Sequence, residues 1–393
     1  MDNFYILLHT LDIIIDKEAT MHKGYKFRIY PNARQIELIE KTFGCCRLVY
    51  NDALARKSKA FSRRGEKLSC TDLKNLLPSL KKRLPFLCEV DSTALQQSIM
   101  KMDDAYQMFF KGSGFPKYKS KRNPVQSYKT VSATIKILDS NMIELAKLGK
   151  IKCKIHRRVM GTITSATVSR VAGKYYVSFT CDISELPKLP ANENQIGIDL
   201  GVKEFAVDDK NHVYESPKYL ANSLKKLQEE MRKLSRMQKG SSNFRKQSQK
   251  IARLHAKIAN QRRNHAHQLS RYLVNNYGVI CIEDLNVKGM IEQIKDTEKR
   301  NVEKHNIRRA YSDAGLGQFI TILTYKAEET GRNLIKIGRY VPSSQTCHCC
   351  GHRNPAVKDL SVREWVCPDC GAELQRDYNA AINILNVGLS TLK

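Results

Sequence analysis

Two C-x-x-C pairs stand near the C-terminus, Cys347/Cys350 and Cys367/Cys370, with sixteen residues between them. Two tight knuckles at that separation fall within the zinc-ribbon range. Four thiolates suit a tetrahedral Zn²⁺ and leave no open position for chemistry, so the predicted site is structural. His348 and Cys349 lie inside the first knuckle, and using Cys349 as a ligand would break the C-x-x-C spacing. Neither is expected to bind the metal. Three acids offer a second chemistry: Asp199 in IGIDLG, Glu283 in VICIED and Asp377 in LQRDYN, just past the second cysteine pair. Taken singly, each is equally well a cap or a surface group, and Asp377 stands where a helix N-cap would. Taken together, three carboxylates on adjacent elements would repel unless cations bridge them. Two Mg²⁺ ions about 4 Å apart meet that need and suit phosphodiester hydrolysis: one lowers the pKa of the attacking water, the other stabilises the leaving 3′ oxygen. Mg²⁺ prefers hard oxygen ligands, and Mn²⁺ is expected to substitute for it.

The chain that must position these groups is strongly basic. Its 393 residues hold 67 Lys and Arg against 39 Asp and Glu, a formal net charge of +28, spread along the chain rather than confined to a tail. A polyanion partner follows, nucleic acid first and an anionic membrane surface as the competitor. No run of 18 apolar residues is present, so nothing is expected to span a bilayer. Of the 12 Cys, the eight outside the two pairs show no disulfide-framework spacing, and no signal peptide is evident. A reducing, intracellular compartment is the expectation.

In chain order, residues 1–20 look foreign to the rest; Met21 reads as the natural start, the alternative being an ordinary N-terminal strand or helix. Residues 25–30 read as a strand ended by Pro31. Helices are predicted over 32–59, 72–84 and 92–110, the last capped by Asp91 or Ser92, with a loop at Arg63-Arg64-Gly65. They make residues 31–110 a small helical module. Residues 111–129 interleave Lys and Arg with Phe115, Tyr118 and Tyr128, a pairing of phosphate contacts with base-stacking rings; an exposed charged linker is the alternative. Strands at 133–138, 142–145, 151–155, 162–171 and 174–182, with an Ala172-Gly173 hairpin turn, join the first strand in a predicted small β-barrel. After a linker at 186–194 come a buried strand ending at Asp199, hairpin strands at 204–207 and 212–215, and two long basic helices over 217–238 and 243–276. That pair reads as a charged coiled-coil-like hairpin with an excess of positive charge for a phosphate backbone. A second buried strand ends at Glu283; a mobile charged loop is predicted at 288–309, a helix at 312–330 and a strand at 334–338. A hairpin, a parallel strand with an acid and a later helix with an acid form the layout of an RNase H-like fold.

The motifs YKFRIYPNARQIELIEKTFGCCRLVYND (25–52), ALQQSIMKMDDAYQMFF (94–110), GFPKYKSKR (114–122), IGIDLGVKEFAV (196–207), IEDLNVKGM (282–290), SDAGLGQF (312–319), PSSQTCHCCG (342–351) and VREWVCPDCGAELQRDYNAAINIL (362–385) together resemble the TnpB family. These proteins are encoded by insertion-sequence transposons and are related to the type V CRISPR effectors. The resemblance covers nearly the whole chain beyond residue 20. It departs at Leu316, where the family often has Trp, and at GAELQRD, where the ribbon more usually ends in His-Asp.

The resemblance implies a multidomain chain of mixed α/β and β class. A wedge-type β-barrel (21–30 and 111–186) would carry an inserted helical recognition module (31–110). A RuvC nuclease domain (195–342 and 372–393) would follow, with a zinc-ribbon insert (343–371), and residues 1–20 would be a non-native extension. The activity implied is RNA-guided DNA cleavage beside a short transposon-adjacent motif. The guide RNA would come from the transposon end, the target would be double-stranded DNA, and no membrane or obligate protein partner is implied. The RuvC acids map onto Asp199, Glu283 and Asp377 and the zinc ligands onto Cys347, Cys350, Cys367 and Cys370. The expected place is the cytoplasm of a prokaryotic cell, at the nucleoid. Two other activities are the alternatives: a guided DNA-binding regulator that does not cut, which the intact acids disfavour, and a DDE-type transposase, which also needs three acids, so that spacing leaves it open and only the resemblance speaks against it. For nucleic-acid contact the candidates are Lys117, Tyr118, Lys119, Lys121 and Arg122. Gln96 and Gln97 join them because amides can read adenine edges.

Overall fold

The computed structural model describes residues 21–131, 135–183, 188–294 and 300–392. The expected extension at 1–20 lies outside them. The chain divides into two compact units, 1–185 and 186–393.

In the first unit, β1 (Met21–Tyr30) runs into α1 (Ala33–Arg64). Asn32 and Gln35 form a reciprocal capping box there, each side chain accepting the other's backbone N–H at 2.9 and 3.0 Å. The helix runs on through Arg63 and Arg64, where a loop was predicted, and stops at Gly65, whose φ of 66° ends it in a left-handed turn. The single helix expected over 72–84 is two, α2 (Cys70–Asn75) and α3 (Leu77–Arg83), with Pro78 in the first turn of the second. α4 (Ser92–Phe110) is capped by Asp91, which accepts from Thr93 N–H.

Six strands follow: β2 (Val125–Val131), β3 (Lys136–Ile137), β4 (Met142–Leu145), β5 (Gly149–Lys154), β6 (Thr162–Val171) and β7 (Lys174–Ile183). The β6–β7 turn takes positive φ at both Ala172 and Gly173, the twist a two-residue hairpin needs. Among the described residues the seven strands order as β2-β6-β7-β1-β5-β4-β3. That is an open sheet with β2 and β3 at its edges; the closed barrel expected from the strand pattern is not formed by these pairings. β2 was also missed, because its residues were absorbed into the basic stretch at 111–129.

The second unit opens with β8 (Gln195–Leu200), β9 (Glu204–Asp208) and β10 (Val213–Glu215). Next come α5 (Tyr219–Ser235), α6 (Ser242–Asn276) and β11 (Val279–Glu283). The loop predicted at 288–309 is largely helical, as α7 (Val287–Gln293) and α8 (Asn301–Ala314). The helix predicted at 312–330 is broken at Gly315, φ 69°, which ends α8 and opens α9 (Leu316–Thr330). Asp313 explains why the break is fixed: its buried carboxylate accepts from Leu220 and Ala221 N–H at the start of α5 and pairs with Arg262. β12 (Asn333–Ile337), the small ribbon strands β13 (Glu364–Val366) and β14 (Glu373–Gln375), and α10 (Arg376–Ser390) complete the unit.

Among the described residues the five-stranded sheet of this unit orders as β10-β9-β8-β11-β12, with β8, β11 and β12 parallel. Parallel strands are covered on both faces. Ile196, Ile198, Ile280 and Ile282 share a core with Leu269 and Leu273 of α6 and Phe319 and Leu323 of α9. Cys281 packs with Ile384 of α10 on the opposite face. That face is made close by glycine: a Cβ on Gly388 would sit 2.4 Å from Cys281 Sγ. No helix among the described residues is long and apolar enough to cross a membrane.

Candidate metal centres and nucleic-acid interface

Strand periodicity decides where the acids point. Side chains alternate along a strand, so Asp199 shares the face of Gly197 and Glu283 that of Cys281, the face covered by α10. β8 and β11 run in parallel register, Ile198 beside Ile282, which sets the two acids side by side at the ends of their strands. Asp377 enters from the first turn of α10. The N-cap alternative for Asp377 is overturned, because Gln375 is the cap and accepts from Tyr378 N–H at 2.8 Å.

Asp199 feels both of the other acids. Burial, then Glu283, then Asp377 push the Asp199 carboxyl up to about 8, against the opposing pull of the Arg376 guanidinium. Burial likewise raises Glu283, offset by the Ser343 hydroxyl, which donates to it at 2.5 Å. Arg363 pairs with Asp377 at 3.3 Å. The three are not drawn into one tight knot: among the described residues, only the four cysteines form a group of at least three possible metal ligands whose atoms all lie within 4.8 Å of one another. Three half-buried carboxylates at neighbouring element ends are a hard-oxygen donor set that fits divalent cations such as Mg²⁺.

The ribbon brings its four cysteines together. Cys347 Sγ lies 3.7 Å from Cys370 Sγ, and Cys350 Sγ lies 3.6 Å from Cys367 Sγ. Both knuckles fold alike because each reads Cys-x-x-Cys-Gly. Gly351 and Gly371 take φ of 80° and 71° and return their N–H to Cys347 O and Cys367 O. A soft four-thiolate set of this kind fits Zn²⁺. Cys349 is exposed and stands outside the cluster, its Sγ 3.4 Å from His348 Nε2.

Three buried residues went unread in the sequence. Asn379 and Asn383 of α10 both donate to Ser343 O and Thr346 O, and so hold the loop that carries Ser343 and leads into Cys347. Their signal was available: two asparagines at i, i+4 on an otherwise apolar helix face are costly unless each finds a partner. Ser343 itself carries no sequence signal beyond a polar loop.

The predicted nucleic-acid residues divide. Lys117, Tyr118, Lys121 and Arg122 are exposed, as is Gln96. Lys119 instead lies over the Tyr50 ring at 3.8 Å, its backbone tied on both sides to the Asn51 amide. Burial and nearby Lys101 pull its ammonium down to about 8. Tyr128, read as a stacking ring, is buried in β2 against Phe43 and has no face to offer a base. Phe115 meets Tyr106 and Phe109 edge-on yet stays half exposed. Gln97 lines an open groove of about 270 Å³ with Lys101, Lys119 and Lys129.

Three family models match the chain: "Probable transposase" at 178–293, "Cas12f1-like, TNB domain" at 317–384 and "Helix-turn-helix domain" at 21–66. Residues 21–66 nevertheless fold as β1 and α1 rather than as two helices. A Streptomyces pristinaespiralis protein is 34% identical over 94% of this chain and 90% of its own length; its name is "Putative RNA-guided DNA endonuclease". The same name with the suffix InsQ belongs to an Escherichia coli protein, 30% identical over 94% of this chain and 93% of its own. Among solved structures, a Cas12f1–sgRNA–target DNA complex superposes at TM-score 0.54 and 15% identity, covering 93% of this chain and 99% of that one. The mini-RNA-guided endonuclease CRISPR-Cas_phi3 gives 0.52 and 9%, with 95% and 93% covered. The fold is therefore of the mixed α/β, multidomain kind seen in these small effectors. The chain belongs to the TnpB family.

Proposed function

We propose that this chain is an RNA-guided DNA endonuclease of a transposon, cutting double-stranded target DNA beside a short transposon-adjacent motif. The observation that carries this reading is the convergence of Asp199, Glu283 and Asp377 on the α10 face of the five-stranded sheet, where burial first, and then Glu283 and Asp377, push the Asp199 carboxyl up to about 8. The fold around them is read as an RNase H-like RuvC domain over 195–342 and 372–393, with 343–371 as its zinc ribbon. Residues 21–30 and 111–186 are read as the wedge domain and 31–110 as its recognition module.

Asp199, Glu283 and Asp377 would hold two Mg²⁺ ions, and Cys347, Cys350, Cys367 and Cys370 a structural Zn²⁺. Mg²⁺ bound there would supply an activated water and stabilise the leaving 3′ oxygen. Asp199 would have to be ionised to serve as a ligand. Arg376 counters the charge of Asp199, and Arg363 pairs with Asp377. Exposed Lys117, Tyr118, Lys121 and Arg122, with the basic pair α5 and α6, would bind guide RNA and heteroduplex through backbone and shape, leaving sequence to base pairing. Gln97, Lys101 and Lys129 line a groove suited to reading the adjacent motif.

The test is purification with the RNA that accompanies the chain, then Mg²⁺-dependent cleavage of a plasmid matching that RNA. Guided binding without cutting would give the regulator reading; strand joining without RNA would give a transposase.

A further inference from the structure

The loop after β12 carries a serine that joins the two metal centres. Ser343 is buried, 5% exposed. Its hydroxyl donates to Glu283 Oε1 at 2.5 Å. Its carbonyl accepts from Asn383 Nδ2 at 2.8 Å and from Asn379 Nδ2 at 3.4 Å. Asn379 Oδ1 in turn accepts from the backbone N–H of His348, inside the first zinc knuckle, at 3.0 Å. One run of hydrogen bonds thus leads from the cysteine ribbon, through α10, to the carboxylate at the end of β11.

We infer that Ser343 is a positioning residue, holding the Glu283 carboxylate for a divalent cation and making that hold depend on the ribbon. The inference rests on the reading of Glu283 as a metal ligand given above. The physical case is one of preorganisation. A glutamate has three side-chain torsions, and a free one loses that freedom when it binds a cation. Ser343 occupies Oε1 and leaves Oε2 to a ligand. Its own place is over-determined, because its carbonyl is clamped by two amides from the helix that also carries Asp377. Partners that orient a metal ligand in this way are typically worth about 10–100-fold in metal affinity. The ordinary alternative is that the hydroxyl only satisfies a buried acid; in that case its loss would change stability and leave cation affinity alone.

The experiment measures Mn²⁺ binding to the full zinc-loaded chain by the paramagnetic signal of free Mn²⁺, alongside zinc content. The proteins compared are wild type, Ser343→Ala, Glu283→Gln and the double variant. Ser343→Ala should weaken Mn²⁺ binding by about tenfold with zinc retained, and should add nothing in the Glu283→Gln background. In guided cleavage the same variant should raise the Mg²⁺ concentration for half-maximal rate more than it lowers the rate at saturation. Wild-type Mn²⁺ affinity in Ser343→Ala, beside a weakened Glu283→Gln, overturns the inference and leaves the Glu283 reading standing. Unchanged affinity in Glu283→Gln overturns both. Loss of zinc from Ser343→Ala, or equal losses in both backgrounds, makes the serine a general structural residue and also overturns the inference.

Discussion

Gly197 lies directly under Ala381: a Cβ at position 197 would come within 2.2 Å of the Ala381 carbonyl oxygen. The backbone of β8 and the backbone of α10 touch there, two residues before Asp199 on one side and one helical turn after Asp377 on the other. No rotamer change relieves a clash between a Cβ and a main-chain atom. Gly197→Ala is therefore expected to push α10 off the sheet and destabilise the chain by about 3 kcal/mol. A urea midpoint equal to that of wild type would show that the contact is looser than described.

Replacing Asp199, Glu283 or Asp377 singly with Ala should abolish guided cleavage and leave guided binding nearly intact. Binding draws on base pairing and many basic groups, whereas hydrolysis needs its full set of oxygen ligands. Ca²⁺ should support binding and not cutting. A gel shift run beside the cleavage assay checks this; a variant that still cuts removes that acid from the site.

Acidity should act on the same group. Asp199 is raised from its ordinary value of 3.8 to about 8, first by burial and then by Glu283 and Asp377. The folded chain therefore keeps a proton that the unfolded chain releases at lower pH. This contribution is fully present at the acid end and is lost as pH rises through about 8. Without added divalent cation, and with zinc retained, Tm should fall by roughly 5 °C between pH 6 and 8.5. Asp199→Asn should remove that part of the slope. Cation binding needs the ionised carboxylate, so it should tighten over the same interval.

Cys367→Ser should lower zinc content and, with it, cleavage, since structural zinc is folding free energy. The damage should reach Asp377 because β14 runs straight into α10. Metal analysis with limited proteolysis of 343–375 is the measurement; full zinc and full activity would falsify the assignment.

Neutralising Lys117, Lys121 and Arg122 together should flatten the salt dependence of RNA binding, each phosphate contact contributing about one unit of slope. Lys119→Ala should behave differently. That ammonium sits on Tyr50, so its loss should loosen the loop as well as remove charge. Equal slopes for wild type and the triple variant would place the polyanion surface elsewhere.

Much of the second unit could be read in advance because its signals are local. The runs ending at Asp199 and Glu283 are short and apolar, and the knuckles announce themselves by spacing. The misreadings arose where local and tertiary preference diverge. Tyr128 looked like a stacking ring because neighbouring lysines mark the segment as exposed, yet β2 turns it inward against Phe43. Residues 301–309 looked like a loop because α8 is mostly polar; its anchor, Asp313 with Arg262, is a contact between distant parts of the chain. Barrel closure was unreadable, since alternation marks strands and says nothing of which edges meet. Ser343 was silent for a like reason: its meaning comes from Glu283, sixty residues away.

The order of the acids along the chain has a consequence for synthesis. Asp199 and Glu283 leave the ribosome on strands that precede the ribbon, while Asp377 follows it on α10. A nascent chain thus completes the first unit, and both parallel strands that bear acids, before it can assemble a cutting centre. Polypeptides released early, short of α10, would carry two of the three carboxylates and be inert as nucleases. On the proposed reading, the last acid to be translated would act as a check on completeness, arming only chains in which both strands and the cysteine ribbon have already been made.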